Sequence, residues 1–235
     1  MIRLDKFLCE MEIGTRSQVK DMVKKGMVSV DGEVVKKADY KFDENTSKVY
    51  VNGRELSYQK FYYYMLNKPQ GVVSATTDNH DKTVLDLLKD AVGKDLFPVG
   101  RLDKDTEGLL LITNDGELSH NLLSPKKHID KTYLVETREN VTEDMILRLE
   151  QGVDIGEEKL TLPAKVKRKE DKKIELTIIE GKFHQVKRML KAVDNEVVYL
   201  KRLSMGSLKL DENLELGKYR SLTEKEIENL KNKNC

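Results

Sequence analysis

Residues 100–116 read GRLDKDTEGLLLITNDG, a short polar turn followed directly by an apolar run. The run, residues 109–112, is followed by the turn signal Asn114-Asp115-Gly116. A short apolar run between turn signals is typical of a buried strand rather than of a helix. The acidic residues before it therefore lie in a loop on a rigid scaffold, which can present them to a ligand. Asp103, close to Arg101 and between two leucine-containing stretches, is the candidate catalytic acid.

Length and composition indicate a protein with one large domain or two smaller ones. The chain has 235 residues, of which 35% are charged, and its net charge is +1. No apolar run approaches the roughly 20 residues that span a bilayer, and the N-terminus lacks the layout of a signal peptide. Cys9 and Cys235 lie at opposite ends, which favours neither a disulfide framework nor a metal cluster. We therefore expect a cytoplasmic protein without a membrane partner, in which any nucleic-acid binding depends on local basic faces.

Residues 1–58 predict a compact module of two helices and a hairpin. Apolar residues of the first helix recur at helical spacing, at Leu4, Phe7, Leu8 and Met11. Thr15 and Gln18 form a capping box at the start of the second helix, and Gly26 ends it. The two-residue turn Asp31-Gly32 then predicts the hairpin.

The second helix of this module carries a basic residue every four positions. Charge alone is equally consistent with a solvated helix face. However, the module resembles the S-four-type RNA-binding domain in residues 3–8, 15–19 and 26–32. This resemblance implies that basic side chains contact the phosphates of structured RNA, namely Arg3, Lys6, Arg16, Lys20 and Lys24.

Residues 59–235 predict an α+β domain in which a mixed, mainly antiparallel sheet is flanked by helices. We expect most strands to be sequential neighbours. Predicted strands cover residues 62–66, 72–75, 109–112, 132–136, 160–167, 173–179, 197–200 and 206–210. Predicted helices begin at residue 83 and cover 117–123, 141–151 and 186–193, and Thr223 with Glu226 caps a terminal helix.

The acidic turn permits several interpretations when it is considered alone. Asp103, Asp105 and Glu107 are consistent with a charged turn whose carboxylates cap backbone amides. The first two also have the spacing of a two-carboxylate metal site, and a glycosidase-like carboxylate pair is a further alternative.

Two other segments could contribute to chemistry. Tyr133, in Lys131-Thr132-Tyr133, lies in a predicted strand, where an aromatic residue usually belongs to the core. Residues 181–188 place several polar and basic side chains at a helix start, namely Lys182, His184, Gln185, Lys187 and Arg188. Such a helix start is typical either of a phosphate site or of a solvated helix end.

Together these segments resemble the signature of bacterial ribosomal RNA pseudouridine synthases, from about residue 62 to residue 226. An S-four-type module in front is the usual arrangement in that family. The variants SPKKH at residues 124–128 and FHQVKR at 183–188 are more similar to the branch that acts on small-subunit rRNA. The motifs, in the order of the family, are LNKP (66–69), GRLD (100–103), TEGLLL (106–111), TNDG (113–116), KTY (131–133) and EGKFHQVKRM (180–189).

The resemblance implies an isomerase that breaks the N1–C1′ bond of a uridine, turns the uracil and rejoins it through C5. It assigns the carboxylate at the sugar–base junction to Asp103, attacking either C1′ or base C6. Tyr133 matches the aromatic that holds the flipped uracil, and Lys187 matches a cation, often Arg in the family, that keeps the carboxylate ionised. Arg101, Lys182 and Arg188 are candidate contacts to the RNA backbone.

The implied partner is 16S rRNA, either naked or within a ribosomal assembly intermediate, with uridine 516 as the expected site. Because the isomerisation oxidises nothing and loses no group, we expect neither a metal nor another cofactor. We expect a monomer, since the sequence has no heptad pattern. Two alternatives stay open: the same chemistry on 23S rRNA, and a non-catalytic RNA-binding ribosome-assembly factor.

Overall fold

The computed structural model describes residues 1–11, 13–44, 46–56 and 60–232. They belong to two compact units, Met1–Lys60 and Phe61–Cys235. The boundary predicted between residues 58 and 59 lies outside the described residues, as does Cys235, whereas Cys9 is a free thiol. None of the helices in the described ranges combines the length and the apolar character needed to cross a bilayer.

The first unit contains two helices and two small antiparallel sheets. The helices are α1 (Leu4–Glu10) and α2 (Arg16–Lys24). The strands are β1 (Ile2–Arg3), β2 (Val28–Val30), β3 (Glu33–Val34), β4 (Lys41–Phe42), β5 (Val49–Val51) and β6 (Arg54–Leu56). One sheet has the order β3-β2-β5-β6, and β1 pairs with β4. The predicted capping box at Thr15 is confirmed, and so are the two helices and the hairpin β2–β3.

The second unit is built on one nine-stranded sheet. Its strands are β7 (Tyr63–Lys68), β8 (Phe97–Pro98), β9 (Glu107–Thr113), β10 (Lys131–Thr137), β11 (Lys165–Glu170), β12 (Lys173–Ile178), β13 (Val197–Met205), β14 (Leu208–Lys209) and β15 (Tyr219–Ser221). Its helices are α3 (Gly116–Leu123), α4 (Glu143–Gln151), α5 (Gln185–Ala192) and α6 (Glu224–Lys231). The main strand order is β11-β12-β10-β13-β9-β7-β15. Because β9–β13 is a parallel pair and the other pairs are antiparallel, the predicted α+β class with a mixed, mainly antiparallel sheet is confirmed.

The expectation that most strands are sequential neighbours was wrong. Strand β10 lies between β12 and β13, and β9 lies between β13 and β7. The local pattern of a strand identifies its buried faces but not its partner, so it could not distinguish this order from a meander.

Two predicted strands and one predicted helix also differ from the structure. Residues 72–75 form only an isolated bridge, between Val73 and Thr83, because the Ala75 amide donates back to the Val73 carbonyl oxygen rather than to a neighbouring strand. Residues 160–164 precede β11 as a loop, since Thr161 is hydrogen-bonded to Val153 and not to a strand. The helical pattern from residue 83 gives a single 3-10 turn, Leu85–Leu87.

The apolar run at the centre of the sequence is buried on both faces of the sheet. Leu110 and Ile112 of β9 belong to a core cluster with α4 and α5, whereas Leu109 and Leu111 belong to one with α3 and α6. Helices therefore cover both faces, which explains why β9 is apolar at consecutive positions rather than alternating. The loop that carries Asp103 enters the sheet through this central strand.

Gly108 allows the close approach of β9 and β13 in their parallel pairing. It is opposite Arg202, and its φ of +100° is in the region that favours glycine. A Cβ atom at this position would lie 2.3 Å from the Arg202 carbonyl oxygen. A side chain here would therefore push apart the two strands that lie beside the Asp103 loop.

We expect Gly108→Ala to lower the free energy of unfolding of the second unit by about 3 kcal/mol, from backbone strain and overpacking together. Chemical denaturation would measure this change. Gly116→Ala is the matched control, because nothing lies within 4 Å of a Cβ there and φ is not positive. An equal loss in both variants would contradict the assigned role of the β9–β13 contact.

Candidate active site

The loop that carries Asp103 is held by a buried lysine from the adjacent strand. Lys68, the last residue of β7, is 0% exposed. Its Nζ donates to the carbonyl oxygens of Pro69 and Asp103, both at 3.0 Å, and of Thr106 at 2.9 Å. One ammonium group therefore binds the main chain both at Asp103 and after it, at Thr106. These bonds fix the backbone of Asp103 and so the origin of its side chain.

Burial makes this lysine unusually acidic. Desolvation lowers the pKa of Lys68 to about 8, against the opposing influence of Asp105 and Asp103. At neutral pH the group is still an ammonium with three donors, as its three short hydrogen bonds require. In moderately alkaline solution it loses a proton and with it one of those donors.

The Asp103 carboxylate forms an ion pair with a lysine from α5. Lys187 Nζ lies 3.2 Å from Asp103 Oδ2 and 2.5 Å from Asp105 Oδ1. Burial alone would lower the pKa of Lys187, but its hydrogen bonds to the two carboxylates outweigh this effect and raise it. Burial would likewise raise the pKa of Asp105, and its hydrogen bond to Lys187 instead lowers it. The two carboxylates with metal-like spacing thus share one ammonium group.

His184 approaches the other oxygen of the Asp103 carboxylate. Its Nε2 lies 3.5 Å from Asp103 Oδ1, and Asp103 keeps 26% of its side chain exposed. The carboxylate is therefore between an ammonium and an imidazole, yet it can still be reached from the cleft.

Asp103, Lys187 and Tyr133 line one cleft. Tyr133 comes from β10, where it pairs with Leu176 and Arg202 on the flanking strands, and it is 8% exposed. Leu102, Val186 and Leu200 add apolar surface to the same cleft. A carboxylate, a cation and an aromatic ring in a partly apolar hollow can hold a planar base and act on its attachment to a sugar.

A family model for RNA pseudouridylate synthases matches residues 62–192, more than half of the chain. The chain belongs to this family. A second family model, the S4 domain, matches residues 2–48. Both resemblances drawn from the sequence motifs are thus confirmed, and the chain is an isomerase by family.

Relatives match the chain over nearly their whole length. An uncharacterized RNA pseudouridine synthase of Bacillus subtilis (strain 168) is 51% identical over 231 residues, or 96% of this chain and 97% of the relative. A ribosomal small subunit pseudouridine synthase A of Vibrio cholerae is 44% identical over 227 residues, or 96% of this chain and 98% of the relative. A crystal structure of a pseudouridylate synthase has a TM-score of 0.69 and 40% identity, and the match covers 98% of this chain and 100% of that chain.

The backbone-binding candidates of the second unit lie in different surroundings. Arg101 and Lys182 both line the cleft, and Lys182 Nζ is 3.2 Å from Glu180 Oε1. Arg188 does not line it. Its guanidinium pairs with Glu157 at 2.8 Å and donates to the carbonyl oxygens of Ile155 and Phe183, which directs it away from Asp103.

The candidates of the first unit are all exposed. Arg16, Lys20 and Lys24 follow one another along α2, whose buried face is Val19 and Val23. Arg3 and Lys6 instead form local ion pairs, Arg3 with Asp5 at 2.8 Å and Lys6 with Glu10 at 3.7 Å.

Sequence reasoning missed two residues of the site and misplaced one. Lys68 was noted within a motif without a role, although a lysine that ends an apolar strand could have signalled a buried charge. His184 was uninformative by itself, because its contact with Asp103 is made across the fold. Glu107 was grouped with Asp103, but it accepts a hydrogen bond from the Tyr199 hydroxyl at 2.7 Å and does not line the cleft.

We expect Lys68 to titrate near pH 8 in the folded protein. NMR of 13Cε-labelled lysine would measure this, and the resonance absent from Lys68→Arg identifies the residue. Because the pKa is lowered, the unfolded chain binds more protons than the folded one between about pH 8 and 10.5. The free energy of unfolding due to Lys68 should therefore rise with pH across this window.

Lys187 supplies the internal control for this titration. Its contacts with Asp103 and Asp105 raise its pKa, so its resonance should show no midpoint below pH 10.5. A Lys68 midpoint at or above that of an exposed lysine would contradict the desolvation of the ammonium.

Proposed function

We propose that this protein converts one uridine of 16S rRNA into pseudouridine, with Asp103 as the catalytic carboxylate. The observation that carries the proposal is the placement of the Asp103 carboxylate 3.2 Å from Lys187 Nζ, in a cleft that Tyr133 also lines. The family supports the reaction class.

The isomerisation needs a group that acts on the bond between base and sugar. Asp103 either adds covalently, at C1′ or at C6, or stabilises an oxocarbenium-like sugar while the N1–C1′ bond breaks. The uracil then turns and C5 bonds to C1′. Any covalent bond to Asp103 breaks, which returns the free carboxylate, the C5 proton leaves and N1 gains a proton. The Lys187 ammonium lies 3.2 Å from the carboxylate and attracts its negative charge, which holds the carboxylate in place in the cleft.

Tyr133 holds the target base after it has left the RNA stack. Extruding a base costs a few kcal/mol, and stacking on an aromatic ring returns roughly 1–3 kcal/mol. The buried position of Tyr133 within β10 fixes the ring, so it is ordered before the RNA binds. Its hydroxyl is the group that we assign to proton transfer at C5.

The substrate assignment is supported by the curated relatives. The Vibrio cholerae relative is named a ribosomal small subunit pseudouridine synthase A, and it matches across both units. We propose uridine 516 as the target, within a ribosomal assembly intermediate in the cytoplasm. We further propose that the enzyme is a monomer and that it needs neither a metal nor another cofactor. We also propose the division at residue 58, with an RNA-binding S4 domain before the catalytic domain, and RNA-backbone contacts from Arg101, Lys182 and Arg188.

A pseudouridine map of rRNA from a strain without this gene tests the substrate. Loss of one site in 16S rRNA is the expected result. A site lost from 23S rRNA would instead name the large subunit, and an unchanged map would favour a non-catalytic assembly factor. Purified protein should also modify 16S rRNA in the presence of a chelator, and loss of activity there would contradict the cofactor-free mechanism.

We expect Asp103→Asn to lower kcat for pseudouridine formation by at least about 10³-fold, as for other residues on which the chemistry depends. A tritium-release or mass-spectrometric assay on 16S rRNA would measure it. Asp105→Asn is the matched control, since it removes a carboxylate that also touches Lys187. It should retain activity within about tenfold, because its role is to position the cation. Equal losses of kcat in the two variants would contradict the assignment of Asp103 as the catalytic carboxylate.

Replacement of Arg16, Lys20 and Lys24 together by Gln should weaken 16S rRNA binding at least about tenfold at 0.15 M salt. It should also reduce the slope of log K against log salt by about 3, because each phosphate contact contributes nearly one unit. Filter binding over a salt series would measure both quantities.

The matched control replaces Lys36, Lys37 and Lys41, which are exposed in the same unit but lie off α2. The change in net charge is the same, and the affinity should stay within about threefold of the wild type. If the two triple variants lose equal affinity, bulk charge rather than the α2 face governs binding.

A further inference from the structure

Phe183 is an exposed aromatic side chain directly before α5. Its exposed fraction is 66%, and among the described residues of the second unit no other Phe or Tyr side chain is exposed. An exposed phenyl ring contributes little to folding, since its apolar surface stays in water. Any function of the Phe183 ring therefore depends on the residues beside it and on the ligand that covers it.

The ring is stacked on a residue that touches the catalytic carboxylate. The ring centroids of Phe183 and His184 are 3.8 Å apart, with an interplanar angle of 19°. His184 Nε2 is in turn 3.5 Å from Asp103 Oδ1. Because His184 covers one face of the phenyl ring, the large exposed fraction leaves the opposite face open. Only the His184 ring therefore lies between the open face of Phe183 and the Asp103 carboxylate.

The backbone around this ring is held in place. Gln185 is 4% exposed, its Oε1 accepts from the Lys182 amide at 2.9 Å, and its Nε2 donates to Glu180 Oε2 at 3.0 Å. Arg188 Nη1 donates to the Phe183 carbonyl oxygen at 3.1 Å. A ring on a fixed backbone loses less conformational entropy when a ligand covers it, so it is preorganised for stacking.

We propose that the open face of Phe183 stacks on a base that flanks the target uridine in the RNA substrate. This inference rests on the proposed function. Phe183 does not line the cleft that Tyr133 and Asp103 form, so the base on it is a neighbour of the target and not the target itself. Extruding the uridine leaves the neighbouring base with one unstacked face, and the phenyl ring replaces the stacking that was lost.

Substitutions of Phe183 can distinguish between an RNA base and a protein partner as the ligand of this ring. A base needs a planar π face, whereas an apolar protein contact is also satisfied by a branched aliphatic side chain. The variants Phe183→Trp, Phe183→Leu and Phe183→Ala therefore form a series in which only the first keeps the proposed interaction.

We expect Phe183→Ala to raise KM for 16S rRNA about tenfold, with kcat within about twofold of the wild type, because the stack is equal in ground and transition states. Phe183→Leu should behave like the Ala variant, and Phe183→Trp should stay within about threefold of the wild type. Val198→Ala is the matched control, because Val198 is an apolar residue of similar exposure, 64%, that does not line the cleft. It should leave both constants unchanged.

A double-mutant cycle locates the base. Both Phe183 and its Ala variant are combined with Asp103→Asn, so that the RNA binds but is not converted. Binding is measured to rRNA fragments that each have a single abasic nucleotide, on one side of the target or on the other. One abasic position should weaken binding about tenfold when Phe183 is present and cause no further loss when it is Ala.

Unchanged KM in Phe183→Ala, wild-type behaviour of Phe183→Leu, or additive losses at every abasic position would each overturn the stacking proposal. These results require an active wild-type enzyme. A wild type that forms no pseudouridine would instead overturn the proposed function, and the present inference with it.

Discussion

The candidate active site depends on one buried ammonium group that binds the backbone around Asp103. Lys68 reaches this backbone from the end of β7 and donates to carbonyl oxygens of the loop at about 3 Å. A buried charge is unfavourable unless it is fully hydrogen-bonded, so the loop must close around it for the unit to be stable. Stability of the fold and placement of the carboxylate are therefore coupled through a residue that does not line the cleft.

A second layer of charges sets the electrostatics of the carboxylate itself. Lys187 contacts both Asp103 and Asp105, so two carboxylates fix the position of its ammonium group. A lysine ammonium cannot form the two parallel hydrogen bonds that an arginine guanidinium forms with one carboxylate. At Lys187 the second carboxylate, Asp105, restrains the ammonium instead. His184 completes the surroundings of the carboxylate and links it to the exposed ring of Phe183.

The sheet topology brings these groups together from distant parts of the chain. Strand β9 enters the centre of the sheet with helices on both faces, next to β7 with Lys68 on one side and β13 on the other. Gly108 makes the approach of β13 possible at the position where the loop ends. Tyr133 arrives on β10, beyond β13, and Lys187 arrives on α5. The cleft thus exists only when the crossed strand order is complete.

The sequence by itself determined the features that arise from neighbouring residues. The buried run at 109–112, the capping boxes at Thr15 and Thr223, and the motif order that indicates the family all depend on local spacing. Asp103 could be selected because it stands in a polar turn before an apolar strand. The tertiary structure alone decided the strand order, the irregular path of residues 72–75 and the contacts of Asp103 with Lys187 and His184. These contacts join residues more than 80 positions apart, and local spacing carries no information on which of several lysines or histidines will face a given carboxylate. For the same reason Glu107, two positions after Asp105, could not be separated from it by sequence, although the alternation of the strand directs its side chain to Tyr199.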